Sequence, residues 1–184
     1  MALTRGTFTD SDAKLRELIL YISEKSAADP KYGSTKLNKI LLAADILSFR
    51  KRGRLISGAQ YKSLDHGPVP VGMGLILDRM TKEGELAIQL ASSYGHLQKR
   101  PVNLRRANLA GFDGEDIALL DEVIGDCRDS NARELSDGSH GIAYYLGTKT
   151  GKPIPFAAFL FKQRQKITPY HRQKYEKLAK ERGW

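Results

Sequence analysis

Residues 34–70 read STKLNKILLAADILSFRKRGRLISGAQYKSLDHGPVP, and the architecture turns on them. Leu37, Ile40, Leu41, Ala44 and Leu47 recur at helical spacing, which predicts a helix over residues 35–52 with one buried face. The Ser34-Thr35 pair supplies hydroxyls to cap its first turn, and Gly53 is placed to stop it. Lys36, Lys39, Arg50, Lys51 and Arg52 fall off the apolar face and read as exposed. Asp45 falls inside the apolar stretch and has to find a partner or reach water. Residues 54–58 read as a turn and 59–65 as a strand. The prolines of Gly67-Pro68-Val69-Pro70 predict a fixed bend that opens a second helix, because Pro is tolerated in a first turn. Nothing in the stretch has the pattern of a nucleophile, a metal ligand set or a phosphate cradle.

At 184 residues the chain reads as one domain, or one domain with a tail. A hydrophobic content of 41% places it among chains that bury a core. No apolar run approaches the roughly 20 residues needed to cross a bilayer, so no membrane contact is expected. The start, Met-Ala-Leu-Thr-Arg, lacks the apolar centre of a signal peptide. The single Cys127 allows no internal disulfide, so a reducing cytoplasm is the expected compartment. The net charge of +9 invites a nucleic-acid reading. That charge is uneven: residues 162–184 hold eight Lys or Arg against Glu176 and Glu181, a net of +6, which leaves +3 for the rest.

Outward from the central stretch, Leu15, Leu18, Ile19 and Ile22 mark a first helix that Asp10 or Ser11 can cap. Residues 27–33, with Asp29-Pro30, read as a loop. The second helix is expected over 69–82, burying Met73, Ile76, Leu77 and Met80 and ending at Gly84. Leu86, Ile88 and Leu90 alternate as in a strand. Residues 97–104 alternate too, with Pro101 at an edge, and 92–95 form the turn between them. With residues 59–65 they make a small antiparallel sheet of about three strands. Asp113 caps a helix with Glu115 and Asp116 in its first turn and Ile117, Leu120, Ile124 and Cys127 inward. Residues 131–136 read as a short helix or turn, 136–140 lead into another helix, and 147–155 read as a loop. Phe156, Phe159, Leu160 and Phe161 form an apolar patch. Thr168-Pro169 opens a basic helix to Arg182. The predicted class is α+β, mainly helical, with residues 1–161 as the domain and 162–184 as a basic helical extension.

Three groupings hold residue types that can carry chemistry. Gly147-Thr148-Lys149-Thr150-Gly151-Lys152-Pro153 has one residue too few between its glycines for a phosphate loop and Pro where Ser or Thr is needed, so it reads as a surface loop. Ser136, Asp137, Ser139 and His140 hold triad residue types, but sequence neighbours do not reach triad geometry, and capping explains them better. The histidines 66, 96, 140 and 171 lack metal-ligand spacing. No catalytic residue, metal or cofactor is expected, and the chain reads as a non-enzyme. The basic helix 168–182, with Tyr170 and Tyr175, reads as a solvated helix or as an arm for an acidic partner or nucleic acid.

The central stretch resembles the Panacea domain, the SocA-like antitoxin family. The residues that carry this are Thr35-Lys36-Leu37-Asn38-Lys39-Ile40-Leu41-Leu42-Ala43-Ala44-Asp45, then Arg52-Gly53-Arg54-Leu55-Ile56-Ser57-Gly58, Tyr61, and His66-Gly67-Pro68-Val69-Pro70. Leu135-Ser136-Asp137-Gly138-Ser139-His140 looks like the family's second block; the tryptophan usual downstream is absent, and Tyr144 and Tyr145 stand nearby. The resemblance covers roughly residues 12–146. It implies an α+β domain that neutralises a cognate protein toxin encoded beside it in bacteria or phages. In some members it implies delivery of the toxin to a protease. Partner contact is expected from exposed groups flanking the helix and bend: Lys36, Lys39, Tyr61, His66 and His140. Tyr61 and His66 have a structural reading too, as pins of the bend. The basic tail is expected to help hold the toxin, and weak nucleic-acid contact through it is the alternative.

Overall fold

The structure, a computed structural model, describes residues 10–64, 67–93, 96–128, 130 and 151–160. Their elements are α1 (Asp10–Lys25), α2 (Ser34–Arg52), β1 (Tyr61–Leu64), β2 (Gly67–Pro70), α3 (Met73–Lys82), β3 (Leu86–Ser93), β4 (His96–Asn103), α4 (Gly114–Cys127), β5 (Pro153–Ile154) and a 3-10 turn, Phe156–Leu160. The class is α+β and mainly helical, as the sequence pattern predicts. Among the described residues no helix is long and apolar enough to cross a membrane.

The helix α2 is the axis of the core. Lys36, Leu37, Lys39, Ile40, Leu41, Leu42, Ala44, Asp45 and Ser48 are all buried, and at 100° per residue these positions run round the whole cylinder. The expectation of a single buried face is therefore corrected, and with it the expectation that Lys36 and Lys39 are exposed. Leu15, Leu18, Ile19 and Ile22 of α1 are at most 1% exposed and join the same core. Leu120, Ile124 and Cys127 of α4 join it too, while Ile117 is partly buried.

Capping at the start of α2 also differs. Gly33, not Ser34 or Thr35, is the N-cap, and no side chain caps the turn. The Ser34 hydroxyl instead donates to the Lys99 carbonyl at 3.0 Å. Gly33 lets Gln98 approach closely: a Cβ there would lie 2.3 Å from the Gln98 side chain, which would have to move. At the other end Gly53 adopts φ 70° and its N–H closes on the Phe49 carbonyl, as expected of a left-handed stop. Asp113 caps α4 in a reciprocal capping box with Asp116.

The two prolines lie in β2, not in a helix. Tyr61 faces Pro70 and Ser63 faces Pro68 across an antiparallel pair. The sheet order β2-β1-β5 leaves β2 at an edge, where a missing N–H costs no ladder bond. The helix α3 starts only at Met73, after Gly72 at φ 80°. The segment expected as a loop over 147–155 contains β5, which pairs Ile154 with Tyr61 and Pro153 with Lys62. Because β2 and β5 occupy both edges of β1, β3 and β4 form a separate two-stranded sheet. Residues 131–136, the 136–140 block and its helix, the 147–150 loop and the 168–182 helix lie outside the described residues, as do His66 and His140.

Candidate functional site

Two buried polar clusters flank the middle and the start of α2. In the first, Asp45 is 1% exposed and finds the partners its position demands. Its carboxylate accepts from the Ser57 N–H at 2.9 Å, the Ser57 hydroxyl at 2.5 Å and the Tyr61 hydroxyl at 2.7 Å. The Ser57 oxygen in turn accepts the Ala59 N–H at 3.0 Å. Burial pushes the Asp45 carboxyl up, and these donors pull against that. Burial first, and the Asp45 charge second, hold the Tyr61 phenol well above its ordinary value, so it stays a donor. Tyr61 also meets the Phe159 ring edge-on at 5.9 Å, with Phe156 at 6.3 Å. The cluster locks helix, turn and first strand together and offers no group to solvent.

In the second cluster, Lys36 is 1% exposed and pairs with Asp29 at 2.6 Å. Its ammonium also donates to the carbonyls of Arg128 at 3.0 Å and Ser130 at 2.8 Å, just past the C-terminus of α4. A cation there meets both orphan carbonyls and the negative end of the helix dipole. The other Asp29 oxygen accepts the Lys31 N–H at 2.8 Å, which shapes the loop after α1. One turn further along, Lys39 is 4% exposed, and burial lowers its pKa to about 8.

The far end of α2 is tied to the N-terminus of α4. Arg52 bonds Asp113 at 2.5 Å, Asp116 at 2.7 Å and Glu115 at 3.1 Å. Arg54 joins Asp113 at 2.7 Å. Hydrogen bonds from Arg52, and then the helix N–H of Asp116, hold the Asp113 carboxyl well below the usual carboxylate range.

Of the residues expected to meet a partner, Lys36, Lys39 and Tyr61 are described, and none presents an exposed group; they are 1%, 4% and 1% exposed. The physical reason is the all-round burial of α2 and the packing of the Tyr61 ring against Asp45, Phe156 and Phe159. Sequence reasoning missed Asp29 and Ser57 as members of these clusters. The only signals for them were the need of Asp45 for a donor and the turn residues around Asp29. A cleft of about 390 Å³ beside α1 is lined by Arg16, Glu17, Glu85 and Arg105, whose charges pair with one another: Arg105 with Glu17 at 2.6 Å and Glu85 at 2.9 Å, and Arg16 with Glu85 at 2.5 Å. Among the described residues no three His, Cys, Asp or Glu are grouped to hold a metal ion.

These features define a helical α+β domain whose buried Asp29, Lys36 and Asp45 are spent on holding its own shape. The chain belongs to the antitoxin SocA-like, Panacea domain family, whose model matches residues 37–143, more than half of the sequence. No curated protein and no solved structure was found to match the chain.

Proposed function

We propose that this chain is the antitoxin of a toxin–antitoxin pair and neutralises a cognate protein toxin by binding it directly in the cytoplasm. The observation that carries this reading is the family match over residues 37–143. The chemistry of the described core supports it, because Asp45, Tyr61 and Lys36 are closed off by their own partners and make a scaffold, not a reaction site. In this reading Lys36, Lys39 and Tyr61 serve partner binding from beneath, by fixing the surface above them, while His66 and His140 supply contacts. Residues 162–184, with their +6 charge, form an extension beyond the domain that strengthens the grip electrostatically. The same charge is what favours a second reading, phosphate contact with nucleic acid, which a steep loss of duplex affinity with salt tests. Delivery of the captured toxin to a protease is a further step, read by toxin half-life with and without the chain.

The main test is co-expression with the neighbouring reading frame. The neighbour alone should arrest growth, and this chain should restore it. A harmless neighbour, or toxicity that this chain leaves unchanged, sinks the proposal.

A further inference from the structure

We infer that the outward face of the β3–β4 hairpin, Leu90 and Leu97 with Lys99 beside them, docks the partner protein and takes an apolar patch rimmed by carboxylates. This deepens the antitoxin reading and rests on it.

The register puts Leu90 opposite Lys99 and Leu97 opposite Ser92. Directly opposed residues share a face, as do residues two apart in one strand. Leu90, Leu97 and Lys99 therefore lie together, and on the same face as Leu86 and Ile88. That face changes along its length. Leu86 is fully buried and Ile88 packs on the core, but Leu90 is 60% exposed and Leu97 76%. An apolar face so begins in the core and runs out into solvent, where two large side chains stand uncovered. Isolated exposed leucines are ordinary; these two lie diagonally across the hairpin and continue a core face, so the apolar surface they make is contiguous.

The hairpin is also held in place. From the opposite face, Arg100 donates to the carbonyls of Asp29 at 2.8 Å, Ala27 at 2.6 Å and Ser26 at 3.3 Å, and its guanidinium lies 5.7 Å from the centre of the Tyr32 ring. The Ser34–Lys99 bond and the close seat of Gln98 on Gly33 add to this. Through Asp29 the anchoring reaches the Lys36 cluster, so the start of α2 and the loop before it position the hairpin. A surface fixed before binding loses little order on docking.

Charge selects the occupant. Residues 86–103 contain no Asp or Glu, and Arg100 is committed to the loop carbonyls, which leaves the exposed Lys99 facing outward beside the leucines. Such a surface complements apolar groups edged by carboxylates. A nucleic-acid backbone would meet the cation but leave the leucines wet.

The test uses the full chain and the purified product of the neighbouring reading frame, with affinity measured by calorimetry. The L90S/L97S pair should weaken binding about thirtyfold or more, as loss of a central apolar anchor does. It should leave the melting temperature near wild type, since both side chains are exposed. Lys99→Glu should weaken binding about fivefold and flatten its salt dependence. Leu104→Ser alters a leucine 59% exposed just past the end of β4, about 20 Å of strand away from Leu97, and should bind as wild type does. If wild type binds and L90S/L97S binds within twofold of it, the hairpin assignment is overturned while the antitoxin reading stands. Equal loss from Leu104→Ser also overturns it. If wild type fails to bind, the antitoxin reading falls and takes the hairpin with it. Should L90S/L97S melt early, amide exchange on the wild-type complex decides: protection over residues 86–103 supports the assignment, and unchanged exchange there overturns it.

Discussion

The two ends of α2 solve the same problem in opposite ways. Both tie the helix to α4, the start of one to the end of the other. At the N-terminal end one lysine does the work from inside: Lys36 and Asp29 are 1% and 6% exposed at their side chains, and two helix-end carbonyls complete the shell. At the C-terminal end Arg52 and Arg54 meet Asp113 and Glu115 near solvent, 51% and 60% exposed, and reach in to Asp116, whose side chain is 2% exposed and keeps the Asp113 N–H as a second donor. The difference teaches where shape is enforced. A buried ion with a fixed shell is costly to break one side at a time, because removing one partner strands the other without water. A surface network of many members loses one and redistributes, and salt screens it.

The largest effect should come from breaking the buried end. Lys36→Ala should cost about 3–5 kcal/mol in denaturant unfolding, the range for stranding a buried charge. Adding Asp29→Asn should recover part of it, since the stranded charge is gone and the Lys31 N–H keeps its acceptor. A cost below about 1 kcal/mol would mean that the ammonium is not the tie. Next comes Tyr61→Phe, which takes one donor from the buried Asp45 and should cost about 1.5–3 kcal/mol; a neutral result would show the phenol to be dispensable to the cluster.

Lys39 sharpens the comparison through pH. Its folded pKa of about 8 lies below the ordinary 10.5, so above pH 8 the unfolded chain binds more protons than the folded one. Stability should therefore rise between about pH 8 and 10 relative to a Lys39→Met variant measured in parallel. Parallel curves for the two proteins would place Lys39 in water instead. The smallest effect belongs to the exposed end. Arg52→Ala should lower the melting temperature slightly at low salt, and the difference from wild type should vanish near about 1 M salt. A loss that persists in high salt would make this end a second buried tie.

The helices were legible in the sequence because their apolar periodicity and end signals are local. The Asp113 cap, the Gly53 stop and the buried run of α1 are each set by residues within a turn or two. What failed was the assumption that a helix has one buried face. At the centre of a domain every face is covered, so Lys36 and Lys39 read as surface cations while they are core residues. The prolines of β2 misled for a similar reason: Pro fits both a first helical turn and an edge strand, and only the pairing with Tyr61 and Ser63 decides. The partners that give the site its form lie far along the chain. Arg100 reaches Asp29 across 71 positions, and Lys36 reaches Arg128 across 92. No local pattern carries such contacts. The need of Asp45 for a donor was visible, but not that Ser57 and Tyr61 would supply it.

The measurement that bears most directly on the whole account is a titration of toxin activity against this chain at fixed toxin concentration. A binding scaffold predicts that activity falls in proportion to the complex formed, reaches its floor near stoichiometric amounts, and returns when the complex is dissociated. Inactivation of many toxin molecules by each copy of this chain, or a toxin left covalently changed after separation, would contradict it.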